Sequence, residues 1–380
     1  MKKPLIHALV LSLAVSMFSF PSFAAAAPPE VEAPSALLME AAGGTVLYEK
    51  NAHEPLNPAS VTKIMTLLLT MEAIDAGSMT LETVLSCSEH AASMGGSQIY
   101  LEPGEQMTLH DVLKSIAVSS ANDACVMLGE HIAGSEEGFV SRMNERAAEL
   151  GMVDTHFVNC TGLDAPGHVT TAYDIALMSR ELMKHDLIYD YTTIWMDTVR
   201  DGAFGLTNTN KLVRFYDGST GLKTGFTASA GYCISATARR DDMDLIAVIM
   251  KAQTSPKRNE DASNLLNFGF ANFAVLKTDP ELTNSTVRVR LGQTETVAAE
   301  LQGGSSIVVD KSAIFRVETN FTMAEEVEAP VEKGQTLGRY TVTLDGNVLC
   351  ERAVVASQAV ERLTVNALYK DLLSRLFMHH

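Results

Sequence analysis

Ser60 and Lys63 stand three residues apart in NPASVTKIMTLLL, residues 57–69, at the mouth of a nearly all-apolar run. On a helix, positions i and i+3 share a face, so hydroxyl and amine can meet without help from distant parts of the chain. Pro58 and Ala59 lead into the run, which places Ser60 near a helix start, where the helix dipole favours negative charge developing on an attacking oxygen. Desolvation by Ile64 and Leu67 lowers the proton affinity of Lys63 and leaves a lone pair that can take the Ser60 proton. The pair alone is weak, because S-x-x-K is frequent by chance and also describes a helix-start serine beside a surface lysine.

Two further stretches add to it. SSANDAC, residues 119–125, holds Ser120, Ala121 and Asn122 between two helical patterns. GLKTGFT, residues 221–227, holds Lys223, Thr224 and Gly225 on an expected strand. Singly, these read as a helix cap and a strand end. Together, in this order and rough spacing, the three stretches match the S-x-x-K, S-x-N and K-T-G set of penicillin-recognising serine enzymes.

The chain resembles the low-molecular-mass penicillin-binding proteins, specifically the serine-type D-alanyl-D-alanine carboxypeptidases. The resemblance covers nearly everything after the N-terminal leader and extends to the flanks PASVTKIMT, SANDA, TGLDAPGHVTTAYDIA and TGLKTGFT. In that reading Ser60 attacks the carbonyl between two D-alanines and Lys63 accepts its proton. Ser120 relays the proton to the departing amine, since a hydroxyl both donates and accepts. Asn122 holds Lys63 and a substrate amide. Lys223 depresses the pKa of Lys63 and attracts the substrate carboxylate, to which Thr224 hydrogen-bonds. Gly225 lets substrate backbone approach as an added strand. The resemblance implies oxyanion donors at the backbone N–H groups of Ser60 and Phe226. It also points to Arg258, in SPKRNEDA, as a second carboxylate contact; the plainer alternative is an exposed arginine near a helix start.

Other chemistries find little here. There is no H-E-x-x-H, no cysteine pair at metal-ligand spacing and no call for a cofactor. His168 reads as structural, and Asp164 and Asp174 as loop and helix-cap residues. A net charge of −17, without a basic block, argues against nucleic acid.

The elements that must position these groups follow from pattern. Lys2 and Lys3, an apolar stretch and small residues before Ala24 and Ala26 read as a cleavable secretory leader over residues 1–26. Its removal takes away two lysines and no acid, changing −17 to −19. A proline-rich linker follows over 27–35, then a catalytic domain over 36–275. Two short strands flank Gly43-Gly44 as a hairpin, helical patterns run from Ser60 to about Lys184, and strands return from Gly221. The polar turn RRDDMD pairs GYCISATARR with MDLIAVIMKA antiparallel. The expected fold is an α/β (α+β) β-lactamase/transpeptidase-like domain, an antiparallel sheet flanked by helices, with a helical subdomain and Ser60 at their junction. Residues 276–358 read as a small all-β domain. Over 359–380 an amphipathic helix is expected, with Val365, Leu368, Tyr369, Leu372, Leu373, Leu376 and Phe377 on one face. It suits a membrane surface or a protein surface equally; the resemblance implies a membrane anchor. The five cysteines read as inert thiols, buried rather than bridged.

The expected activity is therefore exported removal of the terminal D-alanine from peptidoglycan stem pentapeptides, on the outer face of the cytoplasmic membrane or beyond it, with β-lactams as inhibitors. A DD-endopeptidase would use the same residues. A class A β-lactamase needs a deacylating glutamate after the second motif, and residues 151–180 contain none. A non-catalytic wall-binding protein would have had no reason to retain the full polar set.

Overall fold

The structure, a computed structural model, describes residues 27–277, 285–304, 306–365 and 368–369. The expected leader, residues 1–26, lies outside them. Residues 27–34 lie along the body: Val31 and Ala33 are buried, and the Asp261 carboxylate accepts the Ala33 N–H at 2.9 Å.

β1 (Ser35–Glu40) and β2 (Val46–Lys50) form the hairpin expected around Gly43-Gly44. A 3-10 turn, Ala59–Thr62, runs directly into α1 (Lys63–Asp75). A small hairpin of β3 (Val84–Ser86) and β4 (Gln106–Thr108) brackets α2 (Glu89–Ala92). Then come α3 (Leu109–Ser119), α4 (Asn122–Ala133), α5 (Glu136–Glu149), α6 (Ala172–Leu182) and α7 (Tyr189–Thr192). A second small hairpin, β5 (Met196–Val199) and β6 (Phe204–Thr207), and α8 (Leu212–Phe215) lead to the three long strands. These are β7 (Ser219–Thr227), β8 (Gly231–Arg240) and β9 (Met243–Ala252), followed by α9 (Ser255–Asn272).

The five principal strands make one antiparallel sheet in the order β2-β1-β9-β8-β7, with β8 and β9 paired across the polar turn as expected. Both faces are covered, and the strands read accordingly as apolar runs. On β9, Leu245, Ala247 and Ile249 pack with Leu265 and Leu266 of α9, while Ile246, Val248 and Met250 pack with the helical side. That is the two-residue alternation of a strand between two layers. α1 is apolar nearly all round and passes through the centre of the helical side, which buries Lys63 through Leu68. Thr108, Ser135, Thr171 and Thr254 cap α3, α5, α6 and α9 by accepting an N–H of the first turn.

The chain then turns mainly to strands, with a 3-10 turn at Lys311–Arg316, as its rise in β-branched residues predicts. β10 (Phe273–Lys277) precedes β11 (Thr286–Arg290), β12 (Thr296–Leu301) and β13 (Ser306–Asp310), and β10 pairs with β13. β14 (Val317–Met323), β15 (Glu326–Glu328), β16 (Thr336–Leu344) and β17 (Asn347–Ala356) complete a sheet ordered β14-β16-β17-β12-β11-β15. Residues 359–364 are extended, held by bridges from Val360 to Val331 and from Arg362 to Gly292. The amphipathic helix expected over 359–380 therefore starts no earlier than residue 365, and residues 366, 367 and 370–380 lie outside the described ones. Among the described residues no helix is long and apolar enough to cross a membrane. All five cysteines are free; Cys87, Cys125, Cys160 and Cys233 are buried and Cys350 is partly exposed.

Candidate active site

The three short stretches meet where the sheet edge joins the helical side. Ser60 lies in the 3-10 turn and Lys63 is the first residue of α1, so the pair keeps its i, i+3 adjacency. Lys63 is wholly buried, and its Nζ lies 3.1 Å from Ser60 Oγ, 2.6 Å from Asn122 Oδ1 and 2.6 Å from the Thr161 carbonyl oxygen. The carbonyl oxygens of Asn122 and Thr161 can only accept, so they occupy two N–H groups of the amine. The remaining tetrahedral direction faces Ser60 Oγ, where a neutral amine presents its lone pair. Burial pushes Lys63 below the ordinary lysine range, against the pull of Cys125, Cys160 and Asp123. Lys223 is pushed lower still, first by burial and then by the neighbouring charges of Lys63 and Arg258. Repulsion from Lys63 adds to burial at Lys223, whereas burial is what pushes Lys63 down.

Ser120 follows α3 in a left-handed conformation, φ 63°, and its Oγ is buried without a hydrogen-bond partner. An unpaired buried hydroxyl is costly, and here it lines a cleft where a ligand can satisfy it. Asn122 opens α4; its Nδ2 donates to Gly95 O at 2.7 Å while Oδ1 faces Lys63. β7 is an edge strand of the sheet and carries Lys223, Thr224, Gly225 and Phe226. Lys223 Nζ donates to the Thr224 carbonyl at 2.9 Å, and Thr224 Oγ1 to Thr209 Oγ1 at 2.7 Å. Gly225 was expected to admit substrate backbone. Its missing side chain also makes room for the nucleophile's turn: a Cβ there would come within 2.9 Å of Ser60 N and 3.0 Å of Ala59 Cβ. The Phe226 ring is exposed and stacks on Tyr232 at 4.3 Å.

Arg258 is not the exposed arginine that its polar neighbours allow. It is 3% exposed on the first turns of α9, bonded to Ser255 Oγ and Asn259 Oδ1. Burial brings its pKa down to about 10. Ser60, Ser120, Thr224, Gly225, Phe226 and Arg258 line a cleft of about 240 Å³. A larger, open hollow of about 540 Å³ around His53 and Glu54 contains none of these residues. Among the described residues no carboxylate pairs with Lys63, Lys223 or Arg258. A cleft walled by a buried arginine without an acidic partner is suited to an anionic ligand.

Several supporting groups carry no motif of their own. The Thr161 carbonyl and Gly162 belong to the TGLDAPGH stretch, whose flank was legible but whose contacts were not. His168 of that stretch is buried against Thr62, and Asp164 accepts from Thr227 and Ser229 in the surface loop. Asp174 sits in the first turn of α6 and clasps Asp154 N and Thr155 Oγ1. Asp123, next to Asn122, is fully buried and accepts the N–H groups of Ile99 and Leu101, each at 3.0 Å, and Ala124 at 2.9 Å. The Asn122 N–H in turn donates to Ser97 O at 2.7 Å, so the second motif holds the 97–101 loop on the cleft rim. Asp123→Ala leaves the Ile99 and Leu101 donors orphaned. It is expected to cost about 3 kcal/mol in urea unfolding, with Asp123→Asn losing less; equal, negligible losses would show that the loop is held otherwise.

Comparison with known proteins agrees over nearly the whole chain. Residues 22–254 match the family described as D-alanyl-D-alanine carboxypeptidase, and residues 270–362 match that described as Penicillin-binding protein 5, C-terminal domain. The chain is 42% identical over 366 residues to D-alanyl-D-alanine carboxypeptidase DacF of Bacillus subtilis, covering 94% of this chain and 93% of that one. Its fold superposes on penicillin binding protein 5 from Haemophilus influenzae with a TM-score of 0.78 and 29% identity, covering 89% of this chain and 100% of that one. Penicillin-Binding Protein D2 from Listeria monocytogenes, in its ampicillin-bound form, matches with a TM-score of 0.58 and 33% identity over 63% of this chain and 98% of its own. With its three short signatures gathered at one cleft and both of its domains matched, the chain belongs to the serine-type D-alanyl-D-alanine carboxypeptidase family, the low-molecular-mass penicillin-binding proteins.

Proposed function

We propose that the protein removes the terminal D-alanine from peptidoglycan stem pentapeptides through an acyl-enzyme on Ser60. One observation carries this reading: a serine hydroxyl within 3.1 Å of a buried lysine amine, beside a cleft whose Arg258 pairs with no carboxylate among the described residues. Ser60 Oγ attacks the carbonyl carbon of the penultimate D-alanine as its proton passes to Lys63 Nζ. The resulting oxyanion lies against the backbone N–H groups of Ser60 and Phe226. The carbon–nitrogen bond then breaks, and the departing amine takes a proton delivered from Lys63 by way of Ser120. Water attacks the ester and gives its proton to Lys63, which passes it to Ser60 Oγ as the ester bond breaks, restoring both groups. Lys223, Thr224 and Arg258 hold the C-terminal carboxylate, and the free edge of β7 accepts the peptide as an added strand.

β-Lactams imitate the acylating peptide, and the ampicillin-bound Listeria relative supports their binding here. With no glutamate in residues 151–180 to activate water, the penicilloyl ester should persist. Ser60 is expected to stay labelled by penicillin for many minutes while a pentapeptide ending in D-Ala-D-Ala releases D-alanine. Rapid penicillin turnover, or no D-alanine release, would overturn the assignment. Residues 1–26 act as a leader that exports the chain, residues 36–275 form the catalytic domain and residues 276–358 the β domain. The segment beyond 364 rests its apolar face on the membrane surface, where the β domain stands the cleft off from the bilayer.

A further inference from the structure

We propose that His168 is a positioning residue for the oxyanion site, acting through Thr62 on the peptide plane between Ala59 and Ser60. The inference rests on the acyl-enzyme reading above. The Val158 N–H donates to His168 Nδ1 at 3.0 Å, so the ring proton sits on Nε2. Nε2 donates to Thr62 Oγ1 at 2.8 Å, and the Thr62 hydroxyl donates to the Ala59 carbonyl at 2.9 Å. Each link fixes the direction of the next. Burial and the nearby His156 bring the His168 pKa down to about 4, against the pull of Asp164, so the ring is neutral in the working range and keeps this single tautomer.

The end of the chain of bonds is what matters. The Ala59 C=O and the Ser60 N–H belong to one planar peptide and point in opposite directions. Fixing the carbonyl fixes the aim of the N–H that receives the oxyanion. Ala59 needs such restraint, because its φ of 49° is one that residues with side chains seldom adopt, and such a conformation lasts only when its surroundings impose it. His168 and Thr62 are both buried and neither lines the cleft, so they act through the turn and not on substrate.

The test uses the full-length protein and separates the acylation rate by penicillin from the preceding binding step, alongside kcat and KM on the pentapeptide. His168→Ala and Thr62→Val are each expected to slow acylation and lower kcat by on the order of ten- to a hundredfold with KM little changed. Thr62→Val keeps the side-chain volume, so it decides the matter if His168→Ala fails to fold. His168→Gln, whose amide can accept from Val158 and donate to Thr62, should recover most of the rate. The double variant should be no slower than the slower single one, because both cut the same chain. Wild-type rates in Thr62→Val, no recovery in His168→Gln, or losses that multiply in the double variant would each overturn the inference. An unmodified protein that neither acylates nor releases D-alanine would instead overturn the acyl-enzyme reading itself.

Discussion

Lys63→Met is expected to give a folded protein that penicillin labels about 10⁴-fold more slowly than the original, at the upper end of what a general base contributes. No other group stands in for the amine: among the described residues Ser60 Oγ has no other hydrogen-bond partner. Stability should change little, because two effects oppose. The folded protein holds Lys63 below its ordinary pKa, so between the two values the unfolded chain binds the extra proton. The resulting cost to the original is full at pH below the folded value and disappears as pH rises to the ordinary lysine range. Methionine removes that cost but orphans Asn122 Oδ1 and Thr161 O, at about 1–3 kcal/mol. The variant should therefore compare best with the original at low pH and lose ground as pH rises. Acylation by the unaltered protein should climb with pH through the lowered Lys63 value. Labelling of Lys63→Met within tenfold of the original rate would remove Lys63 as the base.

What could be read from the sequence was local. Ser60 and Lys63 lie within one turn, so their spacing alone places hydroxyl beside amine. The strands GYCISATARR and MDLIAVIMKA are joined by a short polar turn, and their pairing follows from it. The acceptors that orient Lys63 are of another kind. Thr161 is 98 positions away and contributes a backbone carbonyl, which any residue type could supply, so no side-chain signature marks it. β1 lies between β2 and β9, a pairing between the two ends of the catalytic domain that no local pattern encodes. Arg258 was ambiguous for a related reason: its neighbours are those of an exposed helix start, and only packing against the sheet buries it. Asp123 was visible in SANDA but had no distinguishing partner until the 97–101 loop closed over it. Local chemistry was thus legible, and the shell that aims it was not, because that shell is made largely of backbone groups brought together by tertiary closure.

Gly162→Ala should also damage the site, by a steric route. Gly162 has φ 85°, and a Cβ there would lie 1.8 Å from the Ala59 carbonyl oxygen and 2.9 Å from Ser60 N. Those atoms are backbone, so no side-chain rotation relieves the overlap. Displacing the Ala59 carbonyl tilts the Ser60 peptide, and displacing Gly162 moves the Thr161 carbonyl off Lys63. Positive φ contributes about 1 kcal/mol and the overlap about 1–3 kcal/mol more to the loss of stability. Acylation by penicillin should fall by at least about a hundredfold, since misplacement of reacting groups by an ångström costs that much. Gly167 supplies the matched comparison within the same loop: its φ is 83°, yet nothing lies within 4 Å of a Cβ placed there. Gly167→Ala should lose only the conformational share, about 1 kcal/mol, and acylate normally. Thermal unfolding and penicillin labelling of the two variants side by side separate steric from conformational cost. If both behave alike, close packing of Gly162 against the nucleophile's turn has no part in holding the cleft in its working shape.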